Sequence, residues 1–410
     1  MILGLGRKLL RLSRRLSVRV VMMAVLALVG TAAAPLLTGI IPDGLTERFG
    51  RDAVLPVLDI LASSMLAVTT FSLGVMVQAF HTASGQATPR AFRILVQDST
   101  TQTVLGTFVG SFLFALTAIV MYRAGFLSPE SSVVIALLTG VTITLIIVAI
   151  LRWIAHLSRL GSMDHTLDLC ERAAAEALGD AAREPGFGAY ATDEPVPGDG
   201  HPLAASQTGH VTSIDIDSLD SVLTERDATL WLTVRPGDFV LAGQSVGVTD
   251  RKVDDEELRG GILIANAREQ EQDTRFGLTV LAEIGARALS PGVNDPGTAI
   301  DVIKRQTRLL WDHARAERTE PLHRTTRIRI APQDPAALLS SAYDMVIRDG
   351  ADRIEVMDEM LRALQRIASC EDPGLAGAAR NKHDYAVRQA RAAIDFDEDR
   401  ERLDRRAAEL

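Results

Sequence analysis

The densest group of hydrogen-bonding side chains outside the apolar stretches is Arg287, Ser290, Asn294, Asp295 and Thr298. Asp295-Pro296 has the form of a capping residue followed by proline at the first helical position, which starts a helix after the Ser290–Asn294 turn. The N-terminus of a helix attracts anions, so these five residues are candidate ligand contacts. The capping aspartate disfavours phosphate there, and a corner satisfied by its own side chains is the plainer reading. A second set, Asp59, Ser63, Thr70, Gly74 and Gln78, falls near one face of a helix inside an apolar run. A polar stripe in lipid must turn toward protein or water, which makes it either the lining of a permeation path or a row of hydrogen bonds between helices. Gly106 and Gly110 form a small-xxx-small pair, the spacing that lets membrane helices approach closely.

Other patterns carry less chemistry. Gly243-Gln-Ser245-Val-Gly247 matches a nucleophile elbow, but that motif needs a sharp strand-to-helix turn and here strand-like sequence lies on both sides. Asp215, Asp217 and Asp220 suggest a calcium loop, yet Leu219 stands where an oxygen ligand is needed and no glycine follows it. The chain has no phosphate-binding glycine loop, no dinucleotide motif and no Cys-x-x-Cys, and its histidines are scattered without ligand spacing. Cys170 and Cys370 give no disulfide framework. No catalytic residue, metal or cofactor is expected from these motifs.

The surrounding elements divide by composition. Residues 1–159 are rich in Val, Leu, Ala, Thr and Gly, whereas the remainder is rich in Asp, Glu, Arg and Ala and carries the acidic balance of a chain with net charge -9. That acidity excludes the basic surface nucleic-acid binding requires. A bilayer core needs about 20 apolar residues per spanning helix. Val20–Ile41, Ile60–Phe80, Ser99–Tyr122 and Ser131–Leu151 each meet that length without a charge, so four transmembrane helices are expected. Ala32-Ala33-Ala34 resembles a signal-peptidase site, although the apolar run continues past it. Arg7, Lys8, Arg11, Arg14, Arg15, Arg19, Arg90, Arg93, Arg152 and Arg159 fall on one side of this arrangement, against Arg48, Arg51 and Arg123 on the other. By the positive-inside rule both termini are cytoplasmic. The preference for Arg over Lys, which stands only at positions 8, 252, 304 and 382, marks a GC-rich bacterial genome, so the expected location is a bacterial plasma membrane.

Three segments carry a family likeness: Ser84–Arg93, then Gln97-Asp98 with Gln102–Phe108, and Ala288-Leu-Ser-Pro-Gly-Val-Asn-Asp-Pro-Gly-Thr-Ala299. They resemble the signature segments of the bacterial DUF2254 family of predicted membrane proteins, over about residues 10–400. The resemblance implies four membrane helices followed by a cytoplasmic domain, and no assigned activity. Two places depart from it: Gly297 stands where a bulky residue is usual, and the Ser84–Pro89 stretch is rewritten.

Beyond the membrane half, residues 160–183 read as a connecting helix and 184–208, rich in proline and glycine, as a flexible linker. Residues 209–253 alternate like short strands, with a turn at Pro236-Gly237-Asp238, and their Arg-Pro-Gly-Asp-Phe-Val phrase resembles the turn of biotinyl- and lipoyl-type small barrels. Residues 254–410 read as mainly helical: Asp254–Glu271, Thr274–Leu289, Pro296–Ala316, Ala336–Asp349 and Ala351–Ile367, with a strand at Arg327–Ile330. The expected fold is thus an α-helical integral membrane protein with an α+β cytoplasmic domain containing a small β-barrel-like unit. Its expected partners are the lipid bilayer, further copies of itself as a homo-oligomer, and a cytoplasmic protein. Two functions fit: an oligomeric, channel-like or solute-permeable assembly regulated by its cytoplasmic domain, or a membrane-anchored structural or signalling protein.

Overall fold

Helix α1, Arg51–Gln86, follows from its burial period. Val54, Leu58, Leu61, Met65, Ser72, Met76 and Phe80 are buried along one face, at the spacing of successive helical turns, and that side packs on helix α3, Ser99–Arg123. The computed structural model describes residues 51–86, 88–96, 98–126, 129–157, 159, 161–316 and 325–409, with Val25 and Val29 as helical positions before them. Between α1 and α3 lies the short helix α2, Pro89–Val96. It buries Ala91, Ile94 and Leu95 and exposes Arg90 and Arg93. Phe92 meets Phe80 edge-on, with ring centroids 5.9 Å apart. Helix α4, Pro129–Leu157, packs on α3 and also touches α1.

Three described helices are long and apolar enough to cross a membrane: Asp52–Thr82, Thr100–Arg123 and Ser131–Leu157. They match the second, third and fourth expected spans, the third to within one residue at its start. The first, Val20–Ile41, lies outside the described residues apart from two positions. These helices belong to a unit that runs to Thr166; a second unit occupies Leu167–Leu410, and helix α5, Met163–Arg183, carries the chain from one into the other.

In the second unit, residues 184–208, read from sequence as an irregular connection, hold a 3-10 turn at Pro185–Gly188 and strands β1, Tyr190–Ala191, and β2, His201–Ala204. Then come β3 (Gly209–Ile214), α6 (Ile216–Arg226), β4 (Leu230–Leu232), β5 (Phe239–Val240), β6 (Ser245–Thr249), α7 (Asp255–Arg259) and β7 (Ile262–Ala265). The expected helix over Asp254–Glu271 is therefore cut short. Gly260-Gly261 ends it, and Ile262-Leu-Ile-Ala265 pairs with β3 instead. Helices α8 (Thr274–Ala288) and α9 (Pro296–Arg315), strand β8 (Ile328–Ile330), and helices α10 (Pro335–Asp349), α11 (Ile354–Ala368), α12 (Pro373–Ala393) and α13 (Asp397–Ala407) complete the unit.

The β unit is not a closed barrel. Its strands form a five-stranded sheet of order β1-β8-β4-β6-β2 and a three-stranded sheet of order β5-β3-β7. Closure requires every strand to have two neighbours, whereas β1, β2, β5 and β7 each end a sheet. The local alternation over 209–253 could not announce this, because β8 enters from far along the chain. It pairs parallel to both β4 and β1, with Leu230 opposite Ile328 and Tyr190 opposite Arg329. The two sheets share one core of buried aliphatic residues, among them Val211, Leu219, Leu223, Leu230, Leu258 and Ile328.

Candidate functional site

The polar residues named from sequence are brought together in part. Asp59, Ser63, Thr70, Gly74 and Gln78 do lie along one side of α1, and all are exposed on the single chain, away from the buried face that packs on α3. Two hydroxyls are spent within the helix: Ser63 Oγ donates to the Asp59 carbonyl at 2.9 Å and Thr70 Oγ1 to the Leu66 carbonyl at 3.0 Å. Gly106 and Gly110 are buried within α3.

Arg287, Ser290, Asn294, Asp295 and Thr298 gather at the corner between α8 and α9. Asp295 caps α9, accepting the Thr298 N–H at 3.1 Å and the Thr298 hydroxyl at 2.6 Å. These bonds outweigh its slight desolvation and hold its carboxyl below the usual range. Ser290 Oγ donates to the Arg287 carbonyl at 2.7 Å. Asn294 adopts the left-handed conformation, φ 50°, that asparagine tolerates better than most residues. Its side-chain oxygen accepts from Arg353 Nη1 at 2.7 Å, while Arg353 Nη2 reaches the Leu289 carbonyl at 3.2 Å. Much of the corner's polarity is therefore engaged by its own turn and by the arginine at the start of α11.

Two sites were not visible in the sequence. The first is a buried pair where α3 begins and α4 ends: His156 Nε2 lies 3.0 Å from both Asp98 Oδ2 and Thr101 Oγ1. Asp98 also accepts the Thr101 N–H at 2.8 Å and the Thr101 hydroxyl at 2.7 Å. Burial alone would raise the Asp98 carboxyl, but the bonds from His156 and Thr101 outweigh it and hold it well below the usual carboxylate range. The His165 ring stands edge-on to His156, centroids 5.5 Å apart.

The second is a cavity of about 340 Å³ on the seam between the β unit and the helices of the second unit. Small and apolar side chains line it, including Ala181, Ala182, Phe187, Leu338 and Leu375, together with Arg235, His313, Gln333 and Asp372. Its wall includes a strained residue: Gly186 and Phe187 both have left-handed backbones, φ 75° and 63°, a conformation that glycine adopts freely but that is costly for a bulky side chain such as Phe187. A methyl group added at Gly186 would stand 2.9 Å from Ile330 Cγ2. The Arg235 guanidinium sits 5.8 Å from the Phe187 ring centre.

Arg235 begins the Arg-Pro-Gly-Asp turn after β4. That turn is locked by Asp238, whose Oδ2 accepts the Arg235 backbone N–H at 2.8 Å and whose Oδ1 accepts from Arg275 Nη2 at 2.6 Å. Desolvation, opposed by Asp238 and reinforced by Arg275, pushes the Arg235 guanidinium down to about 10. The sequence showed the turn but not the site, since Gln333 and His313 reach it from distant elements. His313 is held there by Nδ1, 3.1 Å from the Leu178 carbonyl.

Taken together, the fold is that of a membrane protein with at least three apolar helices and a mixed α/β unit beyond them. The chain belongs to the DUF2254 family of predicted membrane proteins, which matches residues 13–366. It is similar to uncharacterised proteins from Mycobacterium bovis and from two strains of Mycobacterium tuberculosis. Each is 25% identical over 369 residues, covering 84% of this chain and 69% of the relative. No solved structure is significantly similar to it.

Proposed function

We propose that this chain is a membrane-anchored ligand-binding protein of the bacterial plasma membrane. Its second unit lies in the cytoplasm and recognises a small molecule, and its helices hold that unit at the bilayer. The orientation is supported by the excess of Lys and Arg in the flanks that would face the cytoplasm. The observation that carries the reading is the seam cavity. Its volume, about 340 Å³, its mostly apolar lining and its few convergent polar groups are those of small-molecule sites, and the strained Phe187 backbone forms part of its wall. Native mass spectrometry of the intact protein released from nanodiscs is the test. A small molecule that co-purifies with the wild type and is absent from Ala181→Phe, which fills the cavity, supports the reading; identical masses for both remove it.

A second reading, an oligomeric and solute-permeable assembly, is favoured by the α1 stripe. Asp59, Ser63, Thr70, Gly74 and Gln78 are exposed on a span that is apolar overall, and such a face prefers a neighbouring subunit or a water-filled path to lipid tails. Flux into liposomes, compared with Thr70→Leu and Ser63→Leu, tests it. Absence of flux by the wild type would leave the anchored reading alone.

A further inference from the structure

Arg235 brings to the seam cavity a guanidinium with five N–H donors. Two are engaged by the protein, one at the Ala331 carbonyl and one, at 3.5 Å, at Gln333 Oε1. Arg235 has no ion pair among the described residues, and Asp238, the acid whose charge reaches it, is bonded to Arg275 and to the turn's own backbone. Gln333 adds a second donor. Its Oε1 faces Thr274 Oγ1 at 3.2 Å as well as Arg235, so its amide nitrogen is the end left to serve the cavity that Gln333 lines. A partly desolvated cation whose neighbouring acid is already shared with Arg275 is incompletely compensated, and a bound anion offsets that cost. The remaining lining selects among anions. Apolar contacts from Ala181, Phe187 and Leu338 suit a hydrocarbon body, and Asp372, which caps α12 at the Leu375 N–H, 3.0 Å away, also lines the space. Its carboxylate disfavours a second negative group and favours a hydroxyl or ammonium donor.

We infer that the cavity binds a small organic oxyanion, a carboxylate or phosphate monoester on a short hydroxylated or aminated body, with its anionic head on Arg235 and Gln333. This rests on the reading of the cavity as a ligand site. Both head groups share the chemistry that a guanidinium fork recognises, so the experiment carries an arm for each.

The full-length protein in phosphatidylcholine nanodiscs is titrated calorimetrically with 3-hydroxybutyrate, with glycerol 3-phosphate, and with their neutral counterparts butane-1,3-diol and glycerol. At least one of the two anions is expected to bind and its neutral counterpart not to. Arg235→Gln should weaken that binding by about tenfold or more, the loss of a charged hydrogen-bonding head. Arg235→Lys, which keeps the charge but not the fork, should lie between. Ala181→Phe, which leaves Arg235 in place, should abolish binding by occupying the space and guards against a folding defect in the Arg235 variants. Comparable binding of a neutral compound, blocked by Ala181→Phe and indifferent to Arg235→Gln, overturns the oxyanion assignment while leaving a ligand site. Binding of none of the four compounds, with no small molecule lost from Ala181→Phe in the mass spectra, overturns both.

Discussion

His156 Nε2 and Asp98 Oδ2 meet at 3.0 Å, joining the last turn of α4 to the residue that caps α3. Because the Thr101 hydroxyl already donates to Asp98, the imidazole N–H is the donor in this contact. Asp98 thus has two tasks, capping a membrane helix and tying it to its neighbour. Asp98→Ala is expected to remove the cap, worth about 0.5–2 kcal/mol, together with the tie.

The same carboxylate sets a pH dependence. Its folded-state pKa is depressed, so its contribution is fully present above the ordinary carboxylate value of about 4 and decays as the pH falls below it. Melting in detergent micelles between pH 3 and 7 should show an acid-side loss of stability in the wild type that is smaller in Asp98→Ala. Equal slopes in the two proteins would refute the assignment.

Asp358 organises the C-terminal end in a comparable way. Its side chain is 7% exposed and receives Arg362 Nη2 at 3.0 Å, Arg402 Nη2 at 2.9 Å and Arg406 Nε at 2.7 Å. Desolvation would raise its carboxyl, but the arginines prevail and lower it. Two of the three come from α13, which also buries Leu403 and accepts Gln365 Nε2 at the Arg406 carbonyl, 2.8 Å away. Removing one partner of such a network leaves uncompensated charges. Asp358→Ala should therefore detach α13 before the rest of the unit melts, read as faster trypsin cleavage within Asp397–Ala407. Unchanged cleavage would show that Leu403 and the backbone bond suffice.

How far the sequence reveals this protein depends on the range of each interaction. The three described spans, the α8–α9 corner and the Pro236-Gly237-Asp238 turn rest on local signals: uncharged apolar length, a capping Asp-Pro step, and turn chemistry. What depends on distant pairing was hidden. The β unit looked barrel-like because alternation in 209–253 says nothing of β8 inserting between β1 and β4. The seam cavity needs Arg235, His313 and Gln333 from three separate segments. Asp98 and His156 lie far apart in the chain, and neither departs from ordinary helix-end composition.

Gly237 illustrates a local signal with a distant reason. Its φ of 96° fits a turn glycine, and a methyl group there would fall 2.2 Å from Asp273 Oδ2. Asp273 is itself buried, caps α8 through the Phe276 N–H at 3.1 Å, and meets Arg268 at 2.7 Å; desolvation raises its carboxyl despite these partners. Gly237→Ala combines backbone strain with a collision against this cap, and is expected to cost about 1–3 kcal/mol or more. Chemical denaturation of the intact protein in micelles measures it, and a cost under about 0.5 kcal/mol would mean the turn relaxes freely.

Gly277 on α8 lets that helix approach α5. A methyl group on it would lie 2.5 Å from Ala174 Cβ and 2.8 Å from Ala174 Cα, so backbone as well as side chain must shift to admit it. Ala174 is buried and has no flexible tip that could swing aside. Overpacking of this kind costs about 1–3 kcal/mol, which is the loss expected for Gly277→Ala despite alanine's higher helix propensity. The partner change Ala174→Gly takes away the nearer of the two colliding atoms and leaves the backbone carbon in place, at a helix-propensity cost of about 1 kcal/mol. The double variant should therefore lose less than the sum of the two single losses, a coupling that a double-mutant cycle isolates. Strict additivity in thermal melts would show that α5 and α8 are not held at this separation.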